Sequence, residues 1–341
     1  MSFQEKLLNK SNSYQYYKTN YHILKDHLDE MDKKIESLQN KVKILEKLGD
    51  SNLEYFNLIF IESNFKMKGQ YRMLQLQTLE LLKFLVNLCE KHGMTYWLDY
   101  GTLIGALRHE GFVPWDDEID MSMPRADYEK FIKILEKEIA SRPEFEGNVE
   151  LRMGITPLRG VNYTGVPSPC AQFVQRKPLA NVDIHPVDYM RQSDENENEL
   201  AIEYTKNKFV KIRGRLREKL QSGEYEDFTQ AALMEGEKIG FTFEETNFMG
   251  SCIDGTIRFP IPTSKIFPLK KCKFEDREFN IPRCPIEFLN SHYVGDIMKL
   301  PRYMVSHNRL DLIRKRASED EDLNETFENV ISQWKEINSE F

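Results

Sequence analysis

Hydrophobic residues recur along this chain with two different textures. Between Tyr21 and Leu48 they fall at Leu24, Leu28, Met31, Ile35, Leu38, Val42 and Leu45, in alternating steps of four and three, and Lys, Asp, Glu, Gln and Asn fill most positions between them. This is a heptad seam on a helix. With Leu28, Ile35 and Val42 at a and Leu24, Met31, Leu38 and Leu45 at d, branched residues at a and mostly Leu at d favour a parallel two-stranded coil. A single amphipathic helix lying on the chain's own globular part accounts for the same pattern. Residues 1–50 are expected to form an N-terminal coiled-coil helix that makes a homodimer, and Gly49-Asp50-Ser51-Asn52 to break it as a hinge.

From Gln70 the texture is globular. QYRMLQLQTLELLKFLVNLCEKHG carries Leu74, Leu76, Leu79, Leu82, Phe84, Leu85 and Leu88 on a broad apolar face, and Gly93 stops the helix. Met94–Tyr100 predicts a strand, Gly101–His109 a short helix, Asp116–Met123 a second strand, and Pro124 opens a further helix. Val149–Ile155, Ala171–Lys177 and Asn181–Val187 are further strand candidates. Helices alternating with strands predict an α/β (α+β) core with a mixed sheet over residues 70–190. Residues 191–341 are expected to be a helical and hairpin region that completes the substrate site. Asn196–Gly240 reads as polar helix, Cys272–Pro282 as a hairpin, and Asp311–Phe341 as a charged helix.

Composition narrows the classes. The 341 residues are 40% hydrophobic and 30% charged, which allows two domains with a true core. A net charge of −8 argues against a nucleic-acid binder that works by overall charge. Cys89, Cys170, Cys252, Cys272 and Cys284 are scattered without a CxxC pair, as in a reducing compartment, and give no zinc signature. No apolar run is long enough to span a membrane, and MSFQEKLLNK lacks a secretory core. The expected location is cytoplasmic, at the inner face of a membrane through partners.

The chemistry centres on GFVPWDDEIDMSMP. Asp116, Asp117, Glu118 and Asp120 crowd five positions between Trp115 and Met121. On a strand, Asp116, Glu118 and Asp120 share one face while Asp117, Ile119 and Met121 take the other. Carboxylates that close repel unless a hard divalent cation lies between them, which implies Mg²⁺ or Mn²⁺ on Glu118 and Asp120. Asp183, flanked by Val182 and Ile184 in NVDIHPVDYM, is a third acid on an apolar strand, and Asp188 follows it. Three such carboxylates suit metal-assisted phosphoryl transfer with one acting as base. Gly101 and Thr102 open a helix and can receive phosphate, and Arg108 can fork onto one. His109 is more simply an ordinary polar residue. KIFPLKK with Lys299 and Arg302 supplies local positive charge suited to phosphate or an anionic glycan.

LDYGTLIGALRHEGFVPWDDEIDMSMPRADYEKF (Leu98–Phe131) resembles the signature of the LicD family, the phosphocholine-transferase-like branch of the polymerase-β-type nucleotidyltransferases, to which fukutin and fukutin-related protein belong. NVDIHPVDYM resembles its second acidic motif, and KIFPLKKCKFEDREFNIP with YVGDIMKLP its closing block, so the likeness covers about Gln70 to Arg302. The resemblance implies a polymerase-β-like nucleotidyltransferase core. It also implies transfer of a substituted phosphate, phosphocholine or a polyol phosphate, from a CDP-activated alcohol to a sugar hydroxyl of a bacterial capsule, teichoic acid or lipopolysaccharide, releasing CMP. Gly101 and Thr102 then match the donor-phosphate turn, Asp116, Glu118 and Asp120 the paired acids, and Asp183 the third acid. Glu118 stands where the family usually has Asp, and His185 where Phe is common. Two other readings stay open: a nucleotidyltransferase placing NMP on a small molecule, and a coiled-coil assembly subunit with a decayed catalytic domain. A glycosyltransferase would share the acid-x-acid motif on a different fold. Tyr96, Trp97, Tyr100 and Trp115 are candidates for a choline cage by neighbourhood alone.

Overall fold

A computed structural model describes residues 3–62, 65–153, 170–190, 241–242, 244–250, 261–291, 293, 295–300, 309–317 and 322–341. They divide into two compact units, Met1–Leu58 and Ile59–Phe341. The first unit is helical. Helix α1 (Phe3–Glu62) is 60 residues long and passes through Gly49–Asn52, where the sequence predicts a hinge. Gly49 has no group within 4 Å of where a Cβ would stand. One glycine at such an open helical position costs only about 1 kcal/mol relative to Ala, too little to break a ladder of good helix formers.

The described elements of the second unit begin with α2 (Gly69–Lys91), β1 (Trp97–Leu98), α3 (Tyr100–His109), β2 (Ile119–Pro124) and α4 (Arg125–Ser141). Strands β3 (Val149–Met153), β4 (Ala171–Gln175), β5 (Ala180–Met190), β6 (Phe241–Thr242), β7 (Phe248–Gly250) and β8 (Ile261–Pro262) follow. The chain continues with α5 (Thr263–Ile266), the hairpin β9 (Lys270–Phe274) and β10 (Arg277–Ile281), α6 (Pro285–Asn290), α7 (Arg309–Arg316) and α8 (Leu323–Asn338). The expected helical stretch Asn196–Gly240 lies outside the described residues, as do Cys252 and Arg302.

The sheet runs in the order β1-β2-β5-β4-β3, with β6 and β7 on the far end of β5 and β8 on β7. Strands β2 and β5 are parallel, and the other pairs are antiparallel. Their register sets Asp120 beside Asp183 and Ser122 beside His185, and β4 sets Gln172 opposite Asp183. Because side chains alternate, this register sorts the sheet into two faces. Ile119, Met121, Met123, Ala171, Phe173, Val182 and Ile184 share one and are all buried. Asp120, Ser122, Gln172, Asn181, Asp183 and His185 share the other, so a polar stripe runs across three strands of an otherwise apolar sheet.

Helices α2 and α8 cover the apolar face. Helix α8 was expected to be merely charged, yet it buries Phe327, Ile331, Trp334 and Ile337 along one side. Trp334 lies 5.4 Å from Phe84, 5.1 Å from Phe145 and 5.8 Å from Phe173 between ring centres. Its indole N–H donates to Gln175 Oε1 at 3.1 Å, so the ring is buried without an orphaned donor. Another anchor fixes the start of α4: Arg125 forks onto Asp188 at 2.7 and 3.1 Å, with both side chains almost fully buried. Asp188 is therefore the partner of a buried guanidinium, and it stands on the face of β5 opposite Asp183.

Candidate active site

The loop Gly111–Glu118 carries the acids and is held by elements from three parts of the chain. Strand β2 begins only at Ile119, so Asp116, Asp117 and Glu118 precede it rather than alternating on it as the sequence predicts. The cause is local: Pro114 and Trp115 sit in a turn closed by Asp116 N–H donating to Val113 O at 2.9 Å. Gln75 of α2 donates to Asp116 O at 2.9 Å and to Pro114 O at 3.3 Å, and the Tyr71 hydroxyl donates to Trp115 O. These bonds satisfy carbonyls that a buried loop would otherwise strand. On the other side Glu275, at the hairpin tip with φ +58°, accepts two bonds from Arg72 at 2.9 and 2.7 Å and one from Phe112 N–H at 3.4 Å. A Cβ on Gly111 would lie 2.4 Å from Glu275 Oε1, so glycine here lets the Glu275 carboxylate pack against the loop as it stands.

Helix α3 sets its first turn against the carboxylates. Asp99 caps it, accepting from Tyr100 N–H at 2.7 Å and from the Ser122 hydroxyl of β2. Tyr100 has φ +43°, a left-handed conformation that costs a non-glycine residue, and its ring centre lies 4.7 Å from that of His185. Asp120 N–H donates to Thr102 Oγ1 at 2.8 Å, locking helix to strand. A Cβ on Gly101 would stand 2.5 Å from Asp116 Oδ2, so Gly101 is what allows that carboxylate to approach the helix.

Asp116, Glu118, Asp120 and Asp183 are brought together, as the sequence predicts. Burial, then Glu118, Asp120 and Asp117, push the Asp116 carboxyl well above the usual range. Asp120 is pushed up to about 6, mainly by burial, although His185 Nε2 at 3.0 Å from its Oδ1 pulls the other way. Burial and then the charges of Glu118 and Asp120 push Asp183 up to about 7. Gln172 Nε2 donates to both Asp183 oxygens at 3.0 and 3.2 Å, and Asn181 Nδ2 donates to Oδ1.

The donor set fits a divalent cation. Repelling, desolvated carboxylates are the arrangement a cation relieves. The amide oxygens Gln172 Oε1 and Asn181 Oδ1 are buried beside Asp183 with no hydrogen-bond partner among the described residues, leaving acceptors without a donor. Cys170 Sγ, Asp183 and His185 also place ligand atoms within 4.8 Å of one another. That cluster adds sulfur and imidazole, softer donors than the oxygens that Mg²⁺ and Mn²⁺ prefer, beside the carboxylates.

One residue of the site has no local sequence signal. Arg309, at the start of α7, donates from Nη2 to Glu118 Oε2 at 3.0 Å and from Nη1 to Asp117 O at 2.6 Å, and its backbone N–H reaches Asp117 Oδ2 at 3.1 Å. Burial alone would lower this guanidinium; Glu118, Asp117 and Asp183 outweigh it and hold the charge on. Tyr293, from the closing block, is raised by burial and by the nearby Asp120 and Asp99. Arg108 takes a different part from the one its sequence suggests. Its Nη1 donates to the carbonyls of Ile297 and Lys299 at 3.2 and 2.9 Å, and it stacks 5.9 Å from the centre of the Trp115 ring. It thereby ties the closing block to α3. His109 accepts from Arg108 Nε at 3.0 Å, and burial lowers it to about 4, so it is neutral at physiological pH.

Comparison with known proteins finds a match over the stretch that carries the acidic loop. Residues 93–153 match the family described as LicD/FKTN/FKRP, nucleotidyltransferase domain. The chain is 48% identical over 60 residues to the lipopolysaccharide cholinephosphotransferase LicD of Haemophilus influenzae, covering 18% of this chain and 23% of that protein. It is 39% identical over 56 residues to the uncharacterized protein RT0683 of Rickettsia typhi, covering 16% and 18%. It is also 39% identical over 44 residues to the ribitol 5-phosphate transferase FKRP of Homo sapiens, covering 13% and 9%. The matches thus span less than a quarter of the length of these curated relatives. On its acidic loop, the strand that follows and the helix before them, this chain is similar to the LicD/FKTN/FKRP family.

Proposed function

We propose that the protein transfers a substituted phosphate, phosphocholine or a polyol phosphate, from a CDP-activated alcohol to a sugar hydroxyl of a bacterial surface glycan and releases CMP. The observation that carries the reading is the in-register pair on parallel strands, Asp120 buried and Asp183 half-buried, both raised toward neutrality. The names of the relatives support the class of group moved.

Glu118, Asp120 and Asp183 would hold the divalent cation, which when bound neutralises phosphate charge as the leaving group departs. With the cation in place the repulsion from Glu118 and Asp120 would be relieved, so the Asp183 carboxylate would be ionised at neutral pH and could take the proton of the attacking sugar hydroxyl. The hydroxyl oxygen forms the new bond to phosphorus as the bond to CMP breaks. Gly101 and Thr102 offer the first turn of α3 to the donor phosphates, where backbone N–H groups and the positive helix end favour anions. Gln172 and Asn181 orient the Asp183 carboxylate. Arg309 keeps Glu118 and the backbone of Asp117 in place and adds fixed positive charge beside the site.

Purified protein is to be incubated with CDP-choline, CDP-ethanolamine, CDP-glycerol and CDP-ribitol, each with Mn²⁺ or Mg²⁺, a glycan acceptor fraction, and then EDTA. CMP release with one donor, lost on chelation and in Asp183→Asn, is the expected result. Release of pyrophosphate from a nucleoside triphosphate instead would replace this reading with nucleotidyl transfer.

A further inference from the structure

Helix α1 carries a surface that the catalytic reading does not use. The seven seam residues Leu24, Leu28, Met31, Ile35, Leu38, Val42 and Leu45 are each 47–66% exposed. Scattered apolar residues on a surface are ordinary, whereas seven in one heptad register along one helix are a continuous stripe. The same register extends beyond the stretch legible as a coil: Tyr17 falls at d, Tyr21 at a and, past Gly49, Phe56 at a, at 71%, 65% and 41% exposure. Because α1 is unbroken to Glu62, Gly49 and Asn52 take the a and d places of one weak heptad inside a longer seam.

The flanking charges select the occupant. His27, Lys34 and Lys41 occupy successive g positions, while Asp32, Gln39 and Glu46 occupy the e positions five residues on. In a parallel pair each g residue faces the partner's following e residue. That sets His27 against Asp32, Lys34 against Gln39 and Lys41 against Glu46, with no like-charged pair. In an antiparallel pair g faces g, which crowds the basic residues together. Ile35 and Val42 at a, with Leu38 and Leu45 at d, select two strands over three or four.

We propose that α1 is the docking surface for a second copy of this chain, in a parallel, in-register two-stranded coil whose orientation is set by Lys41 against Glu46. The inference concerns the first unit alone and stands apart from the proposed chemistry.

The full chain is to be measured by light scattering or sedimentation at tens of micromolar. The expected mass is twice the 40.3 kDa of one chain. Ile35→Lys with Leu38→Lys should return it to 40.3 kDa while leaving the main thermal transition of the second unit in place. Val42→Cys should cross-link to a covalent dimer under mild oxidation, since a faces a only in the parallel pair, and the unsubstituted chain should not. Lys41→Glu should weaken the dimer and Lys41→Glu with Glu46→Lys should restore it. A wild-type monomer, or a dimer unmoved by the seam substitutions, overturns the proposal. A dimer lost in the seam variant but not cross-linked through Val42→Cys overturns the parallel register.

Discussion

Replacing Asp120 with Asn should stabilise the metal-free protein at pH 8. The carboxyl is displaced from 3.8 to about 6 by burial above all. At about 1.4 kcal/mol for each unit of pH, its ionised form lies roughly 3 kcal/mol higher in the fold than in water. Asn keeps the shape without the charge, so most of that cost disappears. The lost hydrogen bond with His185 reduces the gain, leaving about 1–3 kcal/mol and a rise in Tm of about 5 °C. The pH dependence has a definite sign. Asp120 and Asp183 bind their protons more tightly folded, at about 6 and about 7, than unfolded. Their contribution to stability is therefore greatest below the unfolded carboxylate range and is lost as pH rises through 6 and 7. The advantage of Asp120→Asn should accordingly be full at pH 8, fall to about half at pH 5 and vanish only below the unfolded carboxylate range, near pH 3. Differential scanning calorimetry in a chelating buffer across this range measures it. A variant less stable than wild type at pH 8, or an advantage that grows on acidification, would refute the electrostatic reasoning.

Three further substitutions test the framework. Arg125→Met strands Asp188 without its buried partner and should cost about 3–5 kcal/mol in urea unfolding, with much of it recovered when Asp188→Leu is added. Gly105→Ala puts a methyl 2.3 Å from Gly111 O and 3.0 Å from Val113 N, both backbone, and should cost about 1–3 kcal/mol while disturbing the acidic loop and so lowering activity. Trp334→Ala opens the aromatic cluster with Phe84, Phe145 and Phe173 and should cost about 3–5 kcal/mol, measured by thermal or denaturant unfolding, which a merely charged surface helix would not.

The acids themselves were legible because carboxylates between apolar residues are costly, and the cost marks a purpose. The pairing of Asp120 with Asp183 follows from two short motifs that each read as strands. What the sequence concealed was non-local. Glu275, Arg72 and Gln75 look like ordinary polar residues until the hairpin and α2 fold over the acidic loop. Arg309 begins a short charged helix and gives no sign that it meets Glu118, 191 residues earlier. Asp188 and Arg108 show the converse: each has the chemistry of a site residue in its motif, and a buried structural partner takes it up. The predicted break at Gly49 failed because helix propensity is a weak local term that a long, otherwise favourable helix overrides.

Glu118, Asp120 and Asp183 are proposed to hold a divalent cation. Titration of Mn²⁺ into the metal-free protein, followed by electron paramagnetic resonance and calorimetry at pH 6 and pH 8, tests this directly. Binding should strengthen from pH 6 to pH 8, release protons as Asp120 and Asp183 ionise, and fall at least tenfold in Asp120→Asn and Asp183→Asn. Equal binding by wild type and both variants, or no binding at pH 8, would contradict the account.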